Sequence, residues 1–385
     1  MNAVKLADDH KSIHVQVGAT WIDLYKALEP YSLTVVGGRS GTVGIGGLVL
    51  GGGSSWHSNR YGWACDSVLE FEVVVFGIVL KASHIENQEL FWALKGGGNN
   101  FGVVTALRLA TIHQDDIFLS TRDYDQSQIM DALVALEKFT DNTRNDLDTS
   151  LIMSFLPDKN KQDIQIGLGI INVDNNGNAT GLEHFSKIPD SSRASRSMKL
   201  SELAKQMSQM GDRGSRKLKF SITVHNKVVV LDRLVSTFKD FSRTFNSFDP
   251  KTVVGPYLAF QPLTTSFIMN RDNALGLSNV TEPLMLVALE IYWTETEKND
   301  FFHDSVKKVH DAMRKQAEVL GMLHPFIYLN YAASWQKPFD GYGREYDRLK
   351  GIHERLQQKY DPDDVFRNLI PGGHKLLSHM DDATT

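Results

Sequence analysis

Apolar and polar positions alternate at the start of the chain. Ile13, Val15 and Val17 recur every second residue, which predicts a half-buried strand close to Met1. Thr20 and Asp23 then stand at capping-box spacing. Trp21, Leu24, Ala27 and Leu28 share one helical face as far as Pro30, so the pattern predicts strand, turn and helix in succession. Further on, 70–75 and 78–82 read as two short strands around Phe76-Gly77, 86–95 as a helix with Leu90, Phe91 and Leu94 inward, and 103–109 as another strand.

Beyond about residue 115 the pattern changes to long amphipathic helices between strands. Helices are predicted over 129–139, 231–245 and 301–320, and strands over 164–173, 220–224, 253–260 and 284–293. The segment 191–219 is rich in Ser and basic residues and reads as a solvated loop with a surface helix near 200–210, without a functional role. The tail carries a helix with Tyr346, Leu349, Ile352 and Leu356 aligned, then Pro371-Gly372-Gly373. No internal repeat or low-complexity tract is present.

Glycine breaks this regularity twice. Over 34–53 nine of twenty residues are Gly, a density at which no regular helix is expected, and Gly96-Gly97-Gly98-Asn99-Asn100-Phe101-Gly102 forms a second cluster. Each Gly in regular structure costs about 0.5–1 kcal/mol relative to Ala, so bare backbone on this scale needs a reason. Close approach to a nucleotide cofactor is one, and tight turns and bulges are the other. Neither G-x-x-x-x-G-K-[ST] nor a strand-to-helix G-x-G-x-x-G occurs, which removes the two commonest nucleotide loops.

Composition narrows the class. The 385 residues are 42% hydrophobic and 23% charged, with 11 Pro, which suits a folded protein of two or three domains. A net charge of −5 gives no broad positive field for nucleic acid or an anionic membrane surface. The single cysteine, Cys65, excludes an internal disulfide and a Cys-rich metal site, and is expected to be a small buried residue. The histidines are dispersed without H-E-x-x-H spacing, so no metal site is expected. The first residues resemble no signal peptide, and the chain as given is expected to be cytoplasmic. The sequons at Asn178 and Asn279 do not change that expectation.

Three stretches in order carry a resemblance: VVGGRSGTVGIGGLVLGGG followed by SNRYGWACD, then LFWALKGGGNNFGVVT, then YLNYAASWQKPFDGYG with YDPDDVFRNLIPGG. Together they resemble the berberine-bridge-enzyme-like, FAD-linked oxidoreductases of the vanillyl-alcohol-oxidase superfamily, across essentially the whole chain and in its fungal branch, whose members are often secreted. The resemblance implies an α+β fold. It comprises part of a PCMH-type FAD-binding domain over 1–115, a substrate domain with an antiparallel sheet covered by helices over 116–326, and a C-terminal segment over 327–385 that returns to the flavin. It implies that Gly44, Gly46 and Gly47 run beside FAD, with Gly37 and Gly38 shaping the approach. Asn99, Phe101, Gly102 and Val103 would offer main-chain groups to the flavin and ribityl chain. Tyr328, Asn330 and Tyr331 would border the isoalloxazine.

The chain also departs from the family pattern. The preceding subdomain, with its pyrophosphate loop and flavin-linking histidine, is not in this sequence, and Ser40 or Gly41 stands where some relatives have a linking cysteine. FAD, if held, is expected to be non-covalent. Phe76-Gly77 replaces a longer Asp-Gly hairpin, which is expected to shift or strain the strand register.

Candidate chemistry lies in 284–293. Period two puts Met285, Val287, Leu289, Ile291 and Trp293 on a core face, and Leu284, Leu286, Ala288, Glu290 and Tyr292 on the other. Glu290 and Tyr292, beside small Ala288, form a candidate acid/base pair, and Tyr328 is the third candidate catalytic residue. His57 follows the glycine run and reads as a surface or capping residue. The leading expectation is FAD-dependent oxidation of a small organic molecule. The rivals are a non-redox isomerase or cyclase using Glu290 as acid, and an inactive fragment with an exposed sheet edge.

Overall fold

The computed structural model describes residues 1–158, 163–209, 215–245, 248–249, 251–363, 365, 369–370 and 372–376. Two antiparallel sheets organise them. The first contains β1 (Val4–Leu6), β2 (Ser12–Gln16), β3 (Leu33–Val35), β4 (Val68–Val75), β5 (Ile78–Ser83) and β6 (Val103–His113), in the order β1-β2-β6-β4-β5 with β3 on the end of β6. The second contains β7 (Ile117–Tyr124), β8 (Thr149–Asp158), β9 (Asp163–Asn172), β10 (Ser192–Met198), β11 (Arg216–His225), β12 (Val253–Leu263), β13 (Leu284–Trp293) and β14 (Leu323–His324), in the order β10-β7-β9-β8-β12-β13-β11-β14.

The second sheet shows the period-two split directly. Met285, Val287, Leu289, Ile291 and Trp293 of β13 share a fully apolar core with Leu136 of the helix Ile129–Asn142, Leu234 of Val228–Arg243 and Phe302 of Asn299–Val319. Leu284 and Leu286, on the opposite face, join the other core, which contains Trp21, Trp63 and the first sheet. One face of the sheet therefore packs on helices and the other turns to the glycine-rich region. The expected α+β architecture is present, with an antiparallel sheet covered by helices.

The helix Trp21–Leu28 starts as its spacing requires: the Asp23 carboxylate accepts from the Thr20 hydroxyl at 2.7 Å and from the Thr20 N–H at 2.9 Å, and both bonds lower the Asp23 pKa. Cys65 is fully buried. Among the described residues no helix is long and apolar enough to cross a membrane, and no group of three His, Cys, Asp or Glu is placed to hold a metal ion.

Three local expectations are corrected. A short helix, Ile45–Leu50, does form inside the glycine run, because Ile45 and Val49 bury one face and Gly46 lies flat against Val17. The segment after 191 is not a loop: Ser192–Met198 is an edge strand paired along its length with β7. The following helix Leu200–Gln209 is docked, with Leu200, Leu203 and Ala204 buried and the Ala204 carbonyl accepting from Gly41 N–H at 2.9 Å.

The third correction concerns Phe76-Gly77. The hairpin is in register from Glu70↔Ser83 to Val75↔Ile78, because φ is 49° at Phe76 and 80° at Gly77, the two left-handed positions of a tight two-residue turn. An L side chain other than Asn or Asp is strained there by roughly 1–2 kcal/mol, and the Phe76 ring, half exposed, recovers little by packing. Phe76→Asn is therefore expected to stabilise the protein by about 0.5–1 kcal/mol, read as a raised urea midpoint at unchanged slope, whereas Gly77→Ala should lower it. A lower midpoint for Phe76→Asn would contradict this account.

Candidate functional site

The two glycine clusters touch. Gly98 N–H donates to the Leu50 carbonyl at 3.0 Å, and the fully buried Leu275 lies against both, so that a Cβ on Gly52 or Gly96 would sit 2.9 and 2.8 Å from its methyl groups. The C-terminal segment closes on the same place. Tyr342 Oη donates to the Gly96 carbonyl at 3.2 Å, and Asn100 holds residues 374–376, donating to the His374 carbonyl at 3.1 Å while its side-chain oxygen accepts from Leu376 N–H.

The glycines serve different ends. Gly44 and Gly47 are exposed, and a Cβ on either would meet nothing within 4 Å, so they form a bare, open ledge. Gly46 backs that ledge against Val17. Gly37 and Gly38 lie on the Trp21 indole, where a Cβ would come within 2.4 and 2.6 Å of ring atoms, so their bareness is required by packing. Gly102, at φ 130°, is likewise confined by the sheet, where a Cβ would come within 2.9 Å of the Val74 carbonyl oxygen. Phe101 is buried edge-on to His353, Val103 is half exposed, and Asn99 reaches the Gly372 carbonyl at 3.4 Å.

Polar side chains gather where the ledge faces the second sheet. Gln336 fixes the approach: its oxygen accepts from the backbone N–H groups of Ser221 and Ala333, and its amide donates to the Ser221 carbonyl at 2.8 Å. This pins 328–336 along the edge of β11 and brings the Tyr331 ring over Lys219, with Nζ 3.5 Å from its centroid. From the other side Arg39 donates to Tyr331 Oη at 2.8 Å and to Gln261 Oε1 at 2.6 Å, its guanidinium 5.3 Å from the Trp56 ring. Arg39, Ser54, Trp56, Gln261 and Leu286 line a narrow cleft.

Register places Lys219 opposite Glu290 and Lys217 opposite Tyr292. Both ammonium groups lie 2.7 Å from the Glu290 carboxylate. Burial alone would raise the Glu290 pKa, but Lys219 and Lys217 outweigh it and hold the group ionised. Tyr292 carries Lys217 5.1 Å from its ring. Burial likewise opposes ionisation of Tyr331, yet Arg39 and Lys219 overcome it and bring the phenol down to about 8. Tyr328 shifts the other way: it is buried and borders Tyr331, and its pKa is pushed far up, while its oxygen accepts from Ser54 N–H and the Asn330 amide, each at 3.0 Å. Asn330 also donates to the Leu48 carbonyl.

Glu290, Tyr331, Tyr328 and Asn330 thus converge, while Tyr292 is buried beneath Lys217. His57 is not on the surface. It flanks the short helix Ser58–Tyr61, is buried, and bonds Gln114 at 2.6 Å; burial lowers its pKa to about 4. Sequence reasoning missed Arg39, Lys219, Lys217 and Gln261. Arg39 carried a signal, being the only charged residue in 34–53, and Lys217 and Lys219 alternate with the apolar Leu218 and Phe220.

Comparisons with known proteins agree with this geometry. A model described as "FAD binding domain" matches residues 1–76. The FAD-dependent monooxygenase tpcD of Cochliobolus heterostrophus is 32% identical over 98% of this chain and 74% of its own length. The FAD-dependent monooxygenase prx3 of Penicillium roqueforti is 30% identical over 98% and 76%. Among solved structures, wild-type Physcomitrella patens BBE-like 1 superposes with a TM-score of 0.77 at 16% identity, covering 98% of this chain and 80% of that one. The xylooligosaccharide oxidase of Myceliophthora thermophila does so with 0.76 at 21%, again over 98% and 80%. The chain belongs to the FAD-linked oxidoreductases with a PCMH-type FAD-binding domain, and its cofactor is FAD.

Proposed function

We propose that this chain oxidises a small organic molecule at a C–H bond beside FAD, with Tyr331 as the general base and dioxygen as the terminal acceptor. The residues present fit the cofactor. Gly44 and Gly47 leave a bare ledge that a Cβ would fill, and the buried Trp56 indole N–H beside the cleft has no protein partner among the described residues. Gly44, Gly47 and Asn330 would hold FAD at that ledge. When bound, it supplies the two-electron acceptor for the substrate's hydride.

The observation that carries the reading is the phenol of Tyr331 between Arg39 and Lys219. A general base works best with a pKa near the operating pH, and two cations on one phenol achieve that. Glu290 serves as the counter-ion that keeps Lys219 in place under the ring, and its lowered pKa suits neither a general acid nor a strong base. That disfavours a non-redox reaction driven by a protonated Glu290. Tyr328, with its raised pKa, stays a neutral phenol that orients Ser54 and Asn330.

FAD attachment is proposed to be non-covalent, since the single thiol, Cys65, is buried and His57 is occupied by Gln114. Acid denaturation of the FAD-loaded chain should release all the flavin into solution; colour retained on the protein would refute this.

The base assignment predicts a tyrosinate absorbance step centred near pH 8 in the wild type. Ionisation removes a proton, so the basic form accumulates above that pH and the rate of substrate oxidation rises through it. The step should vanish in Tyr331→Phe and move upward in Lys219→Gln. Tyr331→Phe should also slow flavin reduction by about a hundredfold without changing FAD affinity. A Tyr331→Phe protein with the original pH profile would end the assignment, and a chain that shows no flavin bands after incubation with FAD would end the redox reading.

A further inference from the structure

The cluster around Tyr331, at the edge of the cleft where Arg39 stands, carries more positive charge than its internal pairing uses. Three cations, Arg39, Lys219 and Lys217, form a continuous cluster with one carboxylate, Glu290, which leaves a formal +2 while Tyr331 is a neutral phenol. Both lysines are satisfied by Glu290. Arg39 is not: its hydrogen-bond partners are the neutral Gln261 and Tyr331, and among the described residues no carboxylate pairs with it. The excess is local, because the chain as a whole is at −5.

A guanidinium partly withdrawn from water, with a planar fork of donors, is the group best matched to a carboxylate or an enolate-type oxygen pair. Its position matters as much as its charge. Arg39 lines the cleft beside Gln261 and Trp56 and bonds the oxygen proposed to take the substrate's proton. An anionic group held by Arg39 would therefore lie alongside Tyr331, with the Trp56 ring, which already carries the guanidinium, as an apolar wall.

We propose that the substrate is an anion, a carboxylate or an acidic enol, and that Arg39 is the residue that selects it. This rests on the flavin-dependent reading of the same site. The anion would add negative charge next to Tyr331, so by reciprocity its binding raises the pH at which that phenol ionises.

The test uses benzoate, benzamide and FAD-loaded full-length chain, with Trp fluorescence and flavin absorbance as readouts. Benzoate is expected to bind about tenfold more tightly than benzamide, to weaken with added salt, and to shift the tyrosinate step upward. Arg39→Gln should abolish the preference and Arg39→Lys should keep part of it, with FAD affinity unchanged in both. Equal affinity for the two probes in flavin-loaded protein would overturn the anionic substrate while leaving the redox reading intact. Displacement of benzoate by FAD, or loss of FAD uptake in Arg39→Gln with the preference retained, would assign the cations to the cofactor and overturn it as well. A chain that takes up no FAD would defeat both readings.

Discussion

The hydrogen bond from Gly98 N–H to the Leu50 carbonyl fixes how closely two side-chain-free stretches of backbone can approach, and the C-terminal segment closes on that contact through Tyr342 and the Gly96 carbonyl. Leu275 wedges against both stretches at Gly52 and Gly96, tying them to the loop between β12 and β13 of the other sheet. Any side chain at those glycines would collide with it, so the contact is possible only with Gly there. This is a constraint of volume before it is one of chemistry. The open ledge at Gly44 and Gly47 is what remains when the rest of the glycine run has been used to let chains pass one another.

The second sheet supplies charge to this shape. Its inner face could have been uniformly apolar, since Leu284 and Leu286 begin it in a sealed core, but from Ala288 onward it becomes Glu290 and Tyr292, opposite Lys219 and Lys217. Charges withdrawn from water are costly unless paired and hydrogen-bonded, and the Glu290 carboxylate pairs with both lysines at 2.7 Å. The C-terminal segment, pinned to β11 by Gln336, then lays an aromatic ring on Lys219. The same side chain thus serves an ion pair and a cation–π contact, which couples the position of Tyr331 to a strand it is not part of.

What could be read from the sequence followed from periodicity. The two faces of β13, the capped helix at Trp21 and the alternation in the first strands need only their own residues, and all three are present. Features that depend on a partner were not legible. Lys219 and Glu290 meet through the register of two strands some seventy residues apart in sequence, and Tyr331 joins them from a third segment. The glycines show the limit in another form. A bare backbone position signals that something comes close, and at Gly37 and Gly38 that neighbour is Trp21, which is indistinguishable in sequence from a cofactor. At Phe76-Gly77 the composition of the turn does not reveal its geometry, since the hairpin holds both left-handed positions in register without Asn or Asp.

Tyr328 and Tyr331 bring these threads together. They stand on one turn with ring centroids 4.8 Å apart, carry identical phenols, and are driven in opposite directions. Burial disfavours the ionised form of each. Tyr328 faces backbone and amide donors, the Ser54 N–H and Asn330, which hold its oxygen without supplying a full charge. Tyr331 faces Arg39 through its oxygen and Lys219 through its ring, and two nearby cations outweigh desolvation. Ionisation of either phenol opposes ionisation of the other at that separation, so the proton leaves the one beside the cations and stays on the one beside Ser54. The division of roles therefore follows from where the C-terminal segment lands, Tyr331 on the charged strand and Tyr328 on the glycine ridge, and a shift of that segment by one position would exchange or erase it.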